Sequence, residues 1–195
     1  EQVKRIIAMQ PFELIDRGLV FDASTAELNQ RACYFTCLAQ LDSGTLLAGW
    51  QTGPTKKSPT NTIRIARSSD QGVSWQAISW NFENTLDGIP GSLATAEMVE
   101  VEAGRLLLFS TWFDRSDPDR PLFDPDTEGI LHSRQVLCVS TDDGESWSDW
   151  QVIPTPGLTG CATTGPVLKW SDGTIAHAFE SFKESIKDNT IRVRD

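Results

Sequence analysis

Apolar residues in this chain come in short runs broken by glycine, and no stretch sustains a helical period between caps. Three windows align without gaps: RACYFTCLAQLDSG (31–44), GSLATAEMVEVEAG (91–104) and GCATTGPVLKWSDG (160–173). Each closes on a glycine and runs into a second apolar segment: TLLAGW, RLLLFS and TIAHAF. This pattern predicts three hairpins, with glycine supplying the left-handed backbone of a tight turn. TIRIARSS and RQVLCVST follow the first two hairpins as expected third strands. WQAISW and DWQVIP are the expected fourth strands.

Between third and fourth strands the chain repeats an eight-residue motif, SSDQGVSW (68–75) and STDDGESW (140–147). Both fit Ser-x-Asp-x-Gly-x-Ser-Trp. Ser68 and Ser140 open the motif; Asp70 and Asp142 are placed to accept backbone N–H groups across a tight turn. Gly72 and Gly144 allow positive φ. Ser74 and Ser146 add a hydroxyl, and Trp75 and Trp147 fold back over the hairpin. Asp143 occupies a variable position and is expected in solvent. The motif therefore reads as a device that holds turns and performs no chemistry.

Four antiparallel strands about every 60–70 residues describe propeller blades, so the chain reads as all-β. One partial β-propeller domain is expected over 1–195, with blade-like units at about 31–85, 91–155 and 160–195. The strand-like GLVFDA, within 1–30, is expected to complete a blade. The motif Asp lies 26 residues after the first hairpin glycine, and the same step from Gly173 passes Asp195, so DNTIRVRD reads as a third strand cut before its motif.

Composition narrows the function. A net charge of −10 argues against nucleic acid and against an acidic membrane surface, and no apolar run approaches a membrane span. EQVKRIIAMQPF shows neither a long apolar core nor a small-residue cleavage site, so no signal peptide is expected. Cys33, Cys37, Cys138 and Cys161 lack metal or redox spacing and read as buried small apolar residues. DPDTEG (124–129) has the opening of a calcium loop, but its twelfth position is Gln135 rather than a bidentate Glu. His132 and His177 share no ligand spacing. No metal or cofactor is expected.

The two motifs, with LDSGTLLAGW and WSDGTIAHAF, resemble the Asp-box, or BNR, repeats of the sialidase superfamily. That resemblance implies a six-bladed propeller, of which this chain supplies about three blades. It also implies an exo-glycosidase with an arginine triad, a Tyr–Glu nucleophile pair and an Asp acid/base around an oxocarbenium-like transition state. Arg31 lies three residues before the column of the family's first arginine, which is Tyr34 here. RACY also resembles relatives with Arg-x-Cys-His, Tyr34 replacing the His. The segment Gln51–Thr62, where the acid/base Asp belongs, has no acid. The later arginines and the Tyr–Glu pair belong to further blades, so the catalytic set in this chain is incomplete.

The second blade carries an insertion, TWFDRSDPDRPLFDPDTEGILHSR (111–134), on the side of a propeller that builds sites. Asp114, soon after its strand, is the best acid candidate. Glu180 follows the third hairpin at a similar offset and is the second. Arg31, Gln51, Trp112 and Arg115 are the expected substrate-binding rim, with Asp117, Asp119 and Arg120 nearby and Glu97 in an inner strand. The two function classes are a sialidase-like glycosidase and a non-catalytic Asp-box propeller that binds glycan or protein. Two acids about 5–10 Å apart across the channel mark the first. A lining of Thr95, Thr163 and Thr164 marks the second. The open flanks of a partial ring are expected to drive self-association.

Overall fold

The computed structural model describes residues 13, 14, 16–185 and 191–192. The first sheet is β1 (Ala32–Gln40), β2 (Leu46–Gly53), β3 (Thr62–Ser68) and β4 (Gln76–Ala77), antiparallel in that spatial order. The second repeats it with β5 (Gly91–Glu102), β6 (Arg105–Asp114), β7 (Ser133–Ser140) and β8 (Gln151–Val152). A third hairpin, β9 (Gly160–Lys169) with β10 (Ile175–Phe182), is followed by β11 (Glu184–Ser185) paired to β12 (Ile191–Arg192). Helix among the described residues is limited to one 3-10 turn, Leu28–Gln30. The first strands β1, β5 and β9 lie side by side, as strands around a common axis do.

Two expectations about strands need correction. The fourth strands are only two residues long. GLVFDA forms no strand; it lies as coil, with the Phe21 ring stacked on Trp50 at 5.4 Å. Of DNTIRVRD, only the backbone pairing of Ile191 and Arg192 falls within the described residues.

Each inner strand carries a bulge at the same point of the repeat. Phe35 and Thr36 lie between the pairs Tyr34↔Gln51 and Cys37↔Gly49. Thr95 and Ala96 lie between Ala94↔Thr111 and Glu97↔Phe109. Thr164 to Pro166 lie between Thr163↔Phe179 and Val167↔His177. Phe35 (φ 51°) and Thr95 (φ 71°) take left-handed backbone, which for a β-branched residue costs about 1–3 kcal/mol. The Ser110 hydroxyl offsets part of that by facing the carbonyls of Ala94 (2.9 Å) and Thr95 (3.0 Å). The extra residue shifts the side-chain phase by one. Leu93, Ala96 and Met98 therefore all enter one core, although their spacing is not strictly alternate.

That core lies between the first two sheets and includes Leu47, Ile63, Ile65, Leu106, Leu108 and Val136. A smaller one, with Ala94, Phe113 and Ile130, lies on the other face of the second sheet and takes Leu122, Phe123 and Phe182. Among the described residues the outer flanks are open. Leu38 is 65 % exposed on the first sheet, and Trp170 is 51 % exposed on the third hairpin. An apolar groove of about 460 Å³ on the first flank is lined by Cys33, Cys37, Trp50 and Trp75. Cys138 and Cys161 are buried as expected; Cys33 and Cys37 are only half-buried, because their strand faces this flank. All four thiols are free, and burial pushes Cys37 up to about 11.

The two motif turns are near copies. Ser68 Oγ donates to Asp70 Oδ1 (2.7 Å), and Gly72 N–H donates back to Ser68 Oγ (2.8 Å). Asp70 also accepts Ser74 N–H (2.9 Å) and Ser74 Oγ–H (2.6 Å), and the Trp75 indole N–H caps the Gly72 carbonyl (3.1 Å). Ser140, Asp142, Gly144, Ser146 and Trp147 repeat every one of these bonds. Ser74, then Ser68, hold the Asp70 carboxyl down to about 2. Burial opposes the same effect at Asp142, where Ser146 and Ser140 outweigh it and the net shift is downward. Asp143 is not simply solvated: it and Glu145 pair with Arg67 of the first sheet.

The copies differ in what lies behind the glycine. Gly72 and Gly144 share positive φ (88° and 84°), but a Cβ on Gly144 would sit 2.8 Å from Leu47 Cδ1 in the core, against 3.7 Å from Leu46 at Gly72. Gly72→Ala should therefore cost about 1 kcal/mol of stability through backbone strain alone. Gly144→Ala adds overpacking and should cost about 2–4 kcal/mol. Equal losses on chemical denaturation would contradict this packing account.

Candidate functional site

Antiparallel order fixes two ends. The hairpin turns and motif turns share one, as the bond from Asp143 N–H to the Gly104 carbonyl (3.1 Å) shows. The other end gathers the starts of the inner strands, the ends of β2, β6 and β10, and the loops that follow. There the 115–132 loop crosses to the third hairpin. Ile130 N–H donates to the Lys183 carbonyl (2.8 Å) and Ser185 N–H to the Ile130 carbonyl (2.7 Å). Phe123 meets Phe182 edge-on at 6.0 Å, and Arg120 Nη2 donates to the Ser185 carbonyl (3.1 Å) and Oγ (3.0 Å).

This crossing walls a cleft of about 260 Å³ lined by Asp114, Asp117, Arg120, His132, Glu184 and Ser185. Asp114 is half-buried at the end of β6, its N–H bonded to the His132 carbonyl (2.9 Å) and its Oδ1 accepting Ser116 N–H (2.8 Å). His132 Nδ1 lies 3.1 Å from Glu184 Oε1. Glu184 is only 8 % exposed, and its Oε2 has no partner among the described residues. The Glu184 carboxylate is thus held on one side by His132 and enclosed by protein on the other. The cleft holds three carboxylates, Asp114, Asp117 and Glu184, with a histidine and an arginine.

Of the residues expected on the rim, Asp114 lines the cleft and the others go elsewhere. Glu180 pairs with Ala162 in β10, is exposed, and does not line it; Glu184, four residues on, does. Trp112 is a core residue, 1 % exposed, because β6 alternation turns it toward the first sheet; its indole N–H donates to the Asn84 carbonyl (2.8 Å). Arg115, 5 % exposed, turns into the seam between the first two sheets. Its Nε donates to Ser92 Oγ (2.8 Å) and its Nη2 reaches the Lys57 carbonyl (3.4 Å). Burial lowers its pKa to about 10 against the pull of Asp114, so it stays charged. Gln51 is buried in the same seam, donating to the Leu93 carbonyl (3.1 Å). Arg31 is exposed and donates to the Ala26 carbonyl (2.9 Å). Asp124 of the calcium-like segment is a turn acceptor, taking the N–H of Asp126 (3.0 Å) and Thr127 (2.8 Å).

No family model matches the chain, and no curated protein matches it. Solved structures do. A Hadza microbial sialidase superposes with TM-score 0.63 at 20 % identity, over 83 % of this chain and 34 % of its own. The α-L-arabinanase of Penicillium chrysogenum, complexed with arabinobiose, gives 0.52 at 16 % identity, over 81 % of this chain and 43 % of its own. An ulvan lyase of a polysaccharide lyase family gives 0.50 at 12 % identity, over 76 % and 37 %. This chain therefore spans about a third to two-fifths of the length of these structures. The fold is that of a β-propeller with four-stranded antiparallel blades, of which about three are present.

Below the cleft, the same strands carry a buried polar layer between the second and third blades. Thr163 Oγ1 donates to Gln135 Oε1 (2.6 Å), and Gln135 Nε2 donates to Thr111 Oγ1 (3.1 Å). His177 Nε2 lies 3.2 Å from Thr163 Oγ1, its ring beside Phe109 (4.5 Å) and Phe179 (5.9 Å). Burial pulls the His177 pKa down to about 4. A folded value below the unfolded one means that the unfolded chain takes up the proton first. The contribution to stability is whole above about pH 6.5 and is lost as pH falls toward 4. Proton NMR should show one of the two histidines still neutral at pH 5; a His177 midpoint near 6.5 would contradict the dry seam.

Proposed function

We propose that this chain is part of a sialidase-like exo-glycosidase propeller that hydrolyses terminal sugars from glycans. The full-length parent assembles the catalytic set, and the part carried here is incomplete and inactive alone. The supporting observation is the cleft, which Asp114 and the buried Glu184 both line together with His132 and Arg120. Glycoside hydrolysis needs one carboxylic acid to protonate the leaving oxygen and one carboxylate to stabilise or attack the sugar cation. Glu184, oriented by His132, fits the proton-transfer part and takes the place of Glu180 as the second acid. Asp114 fits the charged part. The two motif turns are read as Asp boxes. A sialidase, an arabinanase and a polysaccharide lyase among the structural neighbours support a sugar ligand.

Tyr34, the single tyrosine, favours a second reading. It lies on the first blade with Lys56 Nζ 5.6 Å from its ring, and it does not line the cleft, so no Tyr–Glu pair forms there. A non-catalytic propeller that binds glycan or protein on the same face needs no such pair. Methylumbelliferyl glycosides, a sialoside among them, separate the readings in the full-length protein. Asp114→Asn and Glu184→Gln should each lower kcat/KM by about 10²–10⁴-fold without loss of fold. Saturable sugar binding with no turnover by the unaltered protein would move the assignment to the binding module.

The open flanks, with Leu38 on one and Trp170 on the other, support the further proposal that the chain by itself self-associates. Light scattering behind size exclusion should give a mass above 21.6 kDa, and Leu38→Lys should reduce it. A stable monomer at micromolar concentration would rule out obligate pairing.

A further inference from the structure

A second groove, of about 290 Å³, lies away from the cleft and shares no lining residue with it. The connector between the first two blades forms one wall with Trp80, Asn81, Glu83 and Asp87; Asp149 and Trp150 form the other. Trp80 is 37 % exposed, large for an indole on a water-facing surface. Trp150 is fixed from behind: its Nε1 donates to the Glu83 carbonyl (2.9 Å) and its ring packs on Phe82 at 5.6 Å. Asp87 is fixed by Arg134 (2.7 Å), and the Glu83 carboxylate accepts Thr85 N–H (2.8 Å). The side chains of Asn81 and Asp149 make no hydrogen bond to other described residues.

We propose that this groove is a separate binding site for a neutral oligosaccharide. Pyranose and furanose rings present C–H faces that stack on indole, and hydroxyl edges that bond to amide and carboxylate groups. Two indoles bordering one groove, one of them locked, supply the first surface. Asn81 and Asp149 supply free polar groups of the second kind. Glu83, Asp87 and Asp149 make the groove acidic, which sets it against uronates, sulfated sugars and other polyanions. The site does not depend on the chemistry of the cleft. It fits a role in holding a chain on the protein while an end is presented elsewhere, a gain of effective concentration rather than of catalysis.

Tryptophan fluorescence and saturation-transfer NMR test this on the whole chain. The probes are the neutral xylotetraose, cellotetraose and arabinotetraose, with tetragalacturonate as the anionic comparison. At least one neutral probe should bind saturably. Trp80→Ala, at an exposed position, should weaken it by about tenfold or more, the loss of one stacking contact. Trp150→Phe, which keeps the packing on Phe82, should also weaken it, and Asp114→Asn should leave it unchanged. Tetragalacturonate should bind more weakly than the best neutral probe. The proposal fails if none of the three neutral probes saturates, if binding survives Trp80→Ala intact, or if tetragalacturonate binds best. Binding lost in Asp114→Asn but kept in Trp80→Ala would place the sugar in the cleft, which sinks the groove and leaves the functional reading standing.

Discussion

The second blade has protein against both of its faces, and the rest of the molecule is arranged around that constraint. Leu93, Ala96, Leu106 and Leu108 face the first blade, and Ala94 and Phe113 face the third. A sheet buried on both sides loses the polar face that most antiparallel sheets keep. Its strands β5 and β6 are accordingly almost continuous in burial, whereas β1 and β10 are exposed along much of their length. The inner-strand bulge belongs to the same constraint. Without the extra residue at Thr95, Ala96 and Met98 would point away from the core that Leu93 enters.

Acidic residues are in excess, and much of that excess is tied to structure. Asp70 and Asp142 hold turns, Asp143 and Glu145 tie the second blade to Arg67 of the first, and Asp87 meets Arg134. Exposed pairs of this kind contribute little energy each and act mainly to fix geometry. Glu184 is different. It is buried, shares one oxygen with His132 and leaves the other without a partner among the described residues. Enclosing a polar oxygen without a bond costs stability.

The hairpins and motif turns were legible because local chemistry determines them: a glycine with positive φ, an Asp with N–H groups in reach, an apolar run on each side. What remained hidden depends on phase and on partners distant in sequence. Trp112 lies two residues before Asp114, on the same face of β6, yet it falls inside the sheet and its indole reaches the Asn84 carbonyl, 28 residues away, while Asp114 stands at the strand end. Glu180 and Glu184 are both acids past the third hairpin. Only the crossing of the 115–132 loop, which bonds Ile130 to Lys183 and Ser185, makes Glu184 part of a site. Its signal in the sequence was the insertion itself, whose far end carries His132. GLVFDA has strand composition, but its Phe21 finds a better place on Trp50 than in a ladder.

The insertion therefore has two roles that cannot be separated. It supplies the cleft with Asp114, Asp117, Arg120 and His132, and it straps the third hairpin to the second blade through Ile130, Phe123 and Arg120. Asp114 and His132 stand at the two ends of this loop, and one backbone bond of 2.9 Å holds those ends together. Glu184 is brought to His132 by the strap and not by its own strand. The relative position of the two carboxylates is then set by the seam between blades, including the layer of Thr111, Gln135 and Thr163 beneath. A buried polar layer satisfied in only one arrangement fixes that seam more narrowly than apolar packing does, because sliding it by one residue would strand several polar groups at once. The placement of these side chains therefore rests in part on hydrogen bonds that never touch the cleft.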